Sequence, residues 1–198
     1  MRFPHPVLIG LIGVLALAGC GTGGSSPSLT PSSASPSSGT RNVQVNATFT
    51  TKPDATAVTY DEGLVPAGSH GAVSSQSGEG STTVTLAVRD LEPDRRYGAH
   101  VHTQPCGAEG SDAGPHYQNV VDPVQPSVDP QFANPENEIW LDLATDATGA
   151  ASTKTTVAWE FAADRRAQSV VIHAEPTATG AGEAGIAGAR LACITVGF

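Results

Sequence analysis

Positive charge is scarce in this chain. Lysine and arginine together number 10, against 19 aspartate and glutamate residues, giving a net charge of −9 with histidine neutral. Nucleic acid is therefore excluded as a natural partner, because phosphate backbones are bound by clustered cationic side chains. Sustained helical periodicity is also missing, which argues against a helical architecture. No G-x-S-x-G, H-E-x-x-H, C-x-x-C or P-loop pattern occurs, so the reactions those motifs serve have no foothold here. The glycine-rich stretch 180–188 is not a phosphate loop: no lysine or arginine precedes Arg190 within it, and no strand–helix frame surrounds it.

The chain nevertheless divides clearly. Residues 1–20 read as an export signal, with Arg2 as the positive end, an apolar run over 7–17 and a small-residue cleavage site at Leu17-Ala18-Gly19-Cys20. The run is too short for a membrane span. Leu-Ala-Gly-Cys resembles a bacterial lipobox, in which cleavage before Cys20 leaves that thiol to carry the lipid. Residues 21–40 are Gly, Ser, Thr and Pro with hardly any apolar bulk and read as a flexible tether. The expectation is a domain over 41–198, anchored to the bacterial cell membrane through Cys20 and facing its extracytoplasmic side. With Cys20 assigned to lipid, Cys106 and Cys193 remain. In an exported protein they are a candidate disulfide, and their wide separation in sequence weakens the rival metal–thiolate reading.

Within the domain, apolar and polar residues alternate over 43–49, 82–88, 138–143 and 151–161, a strand signature. Residues 57–60, 97–102, 169–173 and 190–198 are further strand candidates. Two segments, 104–135 and 174–189, are rich in Gly, Pro and Ala or Asp and read as long loops, which in compact domains are usually functional. Many short strands joined by turns point to an all-β antiparallel sandwich or barrel.

The histidines are the chemical signal. His5 leaves with the export signal, and His70 in Ser69-His70-Gly71 reads as a solvated turn residue. His100 and His102 stand two apart on a strand, so both imidazoles project from one face and can share an ion. His116 follows on the long loop, and His173 ends the strand Val170-Val171-Ile172-His173. Several imidazoles without a thiolate suit copper or zinc, and a nitrogen-rich tetragonal set favours Cu(II).

Five separated segments resemble the copper/zinc superoxide dismutases. They are Gly98-Ala99-His100-Val101-His102, Gly114-Pro115-His116-Tyr117, Val170-Val171-Ile172-His173, Gly188-Ala189-Arg190-Leu191-Ala192-Cys193, and the placement of Cys106 between the second and third of these histidines. The resemblance implies an eight-stranded antiparallel Greek-key β-barrel or sandwich with two long loops. It implies copper held by His100, His102, His116 and His173, a Cys106–Cys193 bridge, and Arg190 guiding superoxide toward the copper. His116 is then the imidazole that lets go and takes up a proton in each cycle. Ala99 and Ile194 stand where the family usually has an aromatic residue and a glycine.

The zinc side departs from the family. There the third histidine bridges copper and zinc, and further histidines and an aspartate complete the zinc site. Here no histidine lies between His116 and His173, and Glu138 falls near the place of the zinc-ligating aspartate. A lone imidazole with scattered carboxylates is a poor zinc site, so a copper-only protein without zinc is expected. The aspartate that joins the two metal sites is also missing, with Thr177 close to its place. Glu138 or Asp142 is the candidate acceptor for a copper-ligating imidazole. The expected activity is dismutation of superoxide to oxygen and hydrogen peroxide. The alternatives are a copper-sequestering lipoprotein of the same fold with little turnover, or a surface module whose histidines are incidental.

Overall fold

The computed structural model describes residues 39–198. The expected export signal, Cys20 and the tether up to residue 38 lie outside the described residues. Among the described residues, nine strand segments form two sheets. The first has the order β1 (Arg41–Thr48), β3 (His70–Gly78), β4 (Ser81–Arg89), β7 (Ala151–Val157). The second has the order β2 (Ala57–Thr59), β9 (Arg190–Thr195), β8 (Ser169–His173), β5 (Arg96–His102), β6 (Leu143–Ala144). Every pairing between these strands is antiparallel. The chain passes repeatedly from one sheet to the other, as in a Greek-key sandwich. The three-residue β2, within the strand candidate at 57–60, lies at one edge of the second sheet, and β3 is the strand that the sequence reading does not anticipate. No helix of the described residues is long and apolar enough to cross a membrane.

Alternation builds the core. On β4, Val84, Leu86 and Val88 turn inward and are buried, while Thr83, Thr85 and Ala87 between them are half-buried on the other face. They meet Ala99, Val101, Val170, Ile172 and Ile194 from the second sheet in one apolar cluster. Glu79 and Gly80 close the β3–β4 hairpin as a two-residue loop, both with positive φ (56° and 78°), the backbone that the strands' right-handed twist favours.

Two segments differ from the sequence reading. His70 does not sit in a turn: it opens β3, exposed and paired with Thr48 and Arg89. Residues 138–142 are extended but join β5 through an isolated bridge between Trp140 and His100, Glu138 bridges instead to Gln118 on the long loop, and regular pairing covers only Leu143–Ala144. A short 3₁₀ turn, Gly110–Ala113, interrupts the first long loop.

The outer face of the second sheet positions the site. Since Ala99 and Val101 face the core, Gly98, His100 and His102 must face outward. On β8 the same parity turns Val171 and His173 outward, and the register sets His173 across from Gly98 and Val171 across from His100. The two long loops cover this face, so β5 beyond Arg96 is buried throughout. Gly98 permits the close approach: a Cβ there would lie 2.6 Å from the Glu175 carbonyl and 2.7 Å from Ala187 Cβ. The Gly98 amide donates to that same carbonyl at 2.8 Å.

Candidate metal centre

The four imidazoles of His100, His102, His116 and His173 converge, each offering a ring nitrogen within 4.8 Å of the others. Two come from β5 and one from the end of β8. His116 is carried to them by the covering loop, which bridges back onto β5 at His102. His100 and His102 are fully buried, His173 is buried, and the His116 side chain is 17% exposed. Among the described residues this is the one cluster of three or more histidine, cysteine or acidic side chains placed to hold a metal. His70 stands apart, lining a separate groove with Arg89 and Asp146.

The hydrogen bonds fix which nitrogen of each ring is free. His102 Nδ1 donates to the Gly114 carbonyl at 2.9 Å, and His173 Nδ1 is 3.5 Å from the Gly188 carbonyl. Their Nε2 atoms face one another at 3.4 Å. His116 Nδ1 donates to Glu138 Oε2 at 2.7 Å. His100 is reversed: its Nε2 lies 2.7 Å from Thr177 Oγ1, and its Nδ1, fully buried, has no hydrogen-bond partner. Four lone pairs therefore point at one small volume, and one belongs to an orphaned buried nitrogen. A cation fits that arrangement, because a buried polar atom without a partner is otherwise costly.

Burial also keeps three of the rings, His100, His102 and His173, neutral. Desolvation, then the neighbouring imidazoles and Arg190, holds His100 and His102 well below the ordinary histidine range. Burial lowers His173 to about 3, with His116 adding to the effect. Neutral imidazole is the form that binds metal.

Glu138 is almost fully buried and accepts three side-chain donors: His116 Nδ1, Trp140 Nε1 at 2.7 Å and Gln118 Nε2 at 2.8 Å. Gln118 is held in turn by the Asp122 amide at 2.9 Å and by Ser127 at 3.0 Å. Asp142 touches no imidazole. It accepts Thr177 Oγ1 at 2.5 Å and the Thr177 amide at 2.8 Å, and so reaches His100 through the hydroxyl. Trp140, Gln118 and Thr177 were not singled out as partners from sequence. Parity gave a usable hint for the first, since Glu138, Trp140 and Asp142 alternate along one extended segment.

Cys106 and Cys193 form a disulfide that ties the start of the first loop to the outer face of β9. Its cysteines pack with Ala113, Val171 and Tyr60. Next to it Arg190 donates to the Gly110 carbonyl at 2.8 Å. Burial lowers its pKa and nearby Tyr60 opposes that, but a guanidinium starts so high that it stays charged. Arg190, His116, His173 and Glu109 line an open cleft of about 850 Å³ leading to the imidazoles.

Comparison with known proteins agrees with this geometry. No curated protein sequence matches. Among solved structures, the Cu/Zn superoxide dismutase from Brucella abortus is similar with a TM-score of 0.52 and 20% identity, covering 79% of this chain and 99% of that one. That likeness is one of fold. A double mutant of a SOD-like protein from Bacillus subtilis has a TM-score of 0.49 and 16% identity, covering 63% of this chain and 87% of that one. A family model described as copper/zinc superoxide dismutase matches residues 69–196, a span that runs from the start of β3 through all four imidazoles and both cysteines. On that match the chain belongs to the copper/zinc superoxide dismutase family.

Proposed function

We propose that the protein is a copper-dependent superoxide dismutase that works without zinc, outside the cytoplasmic membrane and anchored there through Cys20. The observation that carries this is the convergence of four imidazoles, each with a bare nitrogen aimed at the same point. An all-imidazole donor set without thiolate suits copper. When bound, copper supplies the one-electron chemistry by which two superoxide anions and two protons become oxygen and hydrogen peroxide.

The protein's own residues account for the rest. His100, His102 and His173 are locked by burial and by their hydrogen bonds. His116 is the ring nearest solvent, so its Nε2 is the atom that takes up and gives back a proton. When Nε2 is protonated, the imidazolium is stabilised by the Glu138 carboxylate 2.7 Å from Nδ1. Glu138 thus stands where family members with zinc place that metal, against the far nitrogen of the same ring, and this contact supports the zinc-free reading. Arg190 offers a fixed positive charge beside the cleft, which an acidic protein needs if it is to attract an anion. A disulfide within the domain suits an oxidising compartment outside the cytoplasm.

The test is to load the protein with copper alone, confirm one equivalent by elemental analysis, and measure superoxide consumption by pulse radiolysis against free copper. Turnover well above free copper is expected. Tight binding with turnover no faster than free copper would leave a copper-sequestering protein, and no stoichiometric binding would end the reading.

A further inference from the structure

We infer that Thr177 is a positioning residue that relays the Asp142 carboxylate to His100, fixing that ring in the tautomer opposite to its three neighbours. The inference rests on the metal-binding reading of the four imidazoles but concerns the state of His100 before any metal arrives.

The argument is one of donors and acceptors. Asp142 accepts backbone amides on both oxygens, from Ala99 on Oδ1 and from Thr177 on Oδ2, and Thr177 Oγ1, 2.5 Å from Oδ1, donates its proton to the same carboxylate. The hydroxyl oxygen is then left to accept, and its other neighbour at 2.7 Å is His100 Nε2. His100 must therefore carry its proton on Nε2 and present a bare Nδ1. That nitrogen is the buried one without a partner. For His102 and His116 the proton sits on Nδ1 instead, held by the Gly114 carbonyl and by Glu138, and His173 Nδ1 faces the Gly188 carbonyl. A shift of the His100 proton to Nδ1 would put an N–H into the centre of the site and close it to a cation.

The same carboxylate also orders the relay. It accepts the Thr177 amide at 2.8 Å and the Ala99 amide, from the strand that bears His100, at 3.3 Å. The loop residue and the histidine are thereby referred to one group, which sets the hydroxyl over the ring. Outer partners of this kind typically change metal affinity by about 10–100-fold when removed.

The decisive measurement is made first on the metal-free protein. Long-range proton–nitrogen correlation spectra of the imidazoles should show His100 as the Nε2–H tautomer in the wild type and in Thr177→Ser, which keeps the hydroxyl. Thr177→Val, similar in size but without it, should give a mixture of tautomers. Its Cu(II) affinity, measured by chelator competition, should fall by about 10–100-fold, with Thr177→Ser within about threefold of wild type. Wild-type His100 found on Nδ1–H overturns the inference. So does a Thr177→Val protein with wild-type tautomer and affinity. A wild type that shows the Nε2–H tautomer and binds copper yet fails to consume superoxide would sink the dismutase reading and leave the relay standing.

Discussion

Glu138→Gln is the most informative single substitution, because it keeps the shape of the side chain and removes its charge. Glu138 accepts donors on both oxygens: His116 Nδ1 and Trp140 Nε1 on Oε2, Gln118 Nε2 on Oε1. A glutamine can place its carbonyl at the first position, but its amide then faces the Gln118 amide, donor against donor. Turning the Gln118 amide over does not help. Its oxygen already takes the Asp122 amide and its nitrogen serves Ser127, so the mismatch only moves. The substitution therefore weakens charge-assisted bonds and leaves a buried donor unpaired, for a total of about 2–4 kcal/mol. For a domain of this size that corresponds to a melting temperature lower by roughly 5–10 °C. Copper affinity should fall by about 10–100-fold as His116 exchanges a charged acceptor for a neutral one that orients it less firmly. Thermal unfolding of the metal-free protein measures the first and chelator competition the second. A melting temperature within about 1 °C of wild type, together with copper affinity within about twofold, would refute the reasoning that Glu138 holds His116 in place.

Three further outcomes are expected. Arg190→Ala should slow superoxide consumption by about tenfold and flatten its dependence on ionic strength, while Arg190→Lys keeps most of both; an unchanged salt dependence would remove the steering role. Breaking the disulfide by Cys106→Ala with Cys193→Ala, which opens a loop of 87 positions, should cost on the order of 4–5 kcal/mol in denaturant unfolding, and equal stability of the two proteins would contradict that closure term. The metal-free protein should also be acid-sensitive. His100, His102 and His173 have folded pKa values below the unfolded value, so their contribution is fully present above about pH 6.5 and is lost as pH falls below it, when the unfolded chain takes up protons the fold refuses. Three such groups make the loss about 4 kcal/mol between about pH 7.5 and about pH 5.5, and stability that stays flat over that interval would show the rings are not held neutral.

What the sequence discloses follows from how each feature is encoded. β4 and β8 are legible because large apolar residues mark their inward positions or fill them outright. β3 is not, since its inward positions are Gly71, Val73, Ser75 and Ser77, and one valine cannot carry a period. Small residues serve there because Phe49 and Ile194 already fill the space: a Cβ on Gly71 would lie 2.5 Å from Ile194 Cδ1 and 3.0 Å from the Phe49 ring. The shared direction of His100 and His102 is a matter of parity on one strand and needs no fold. Bringing His116 and His173 to the same point does need one, and the family resemblance, rather than spacing, joined them to the set. Thr177 marks where local reading stops. By itself a threonine in that place signals a missing acid. It becomes a relay only when the fold sets Asp142, 35 positions earlier in the chain, against its hydroxyl. The acid was in the sequence all along, on the extended segment beside β5 instead of on the loop, and the side chain that completes its reach is neutral. A centre built on the outer face of a sheet and roofed by loops encodes its ligands in strand parity, but it encodes their partners in long-range contacts that no local pattern records.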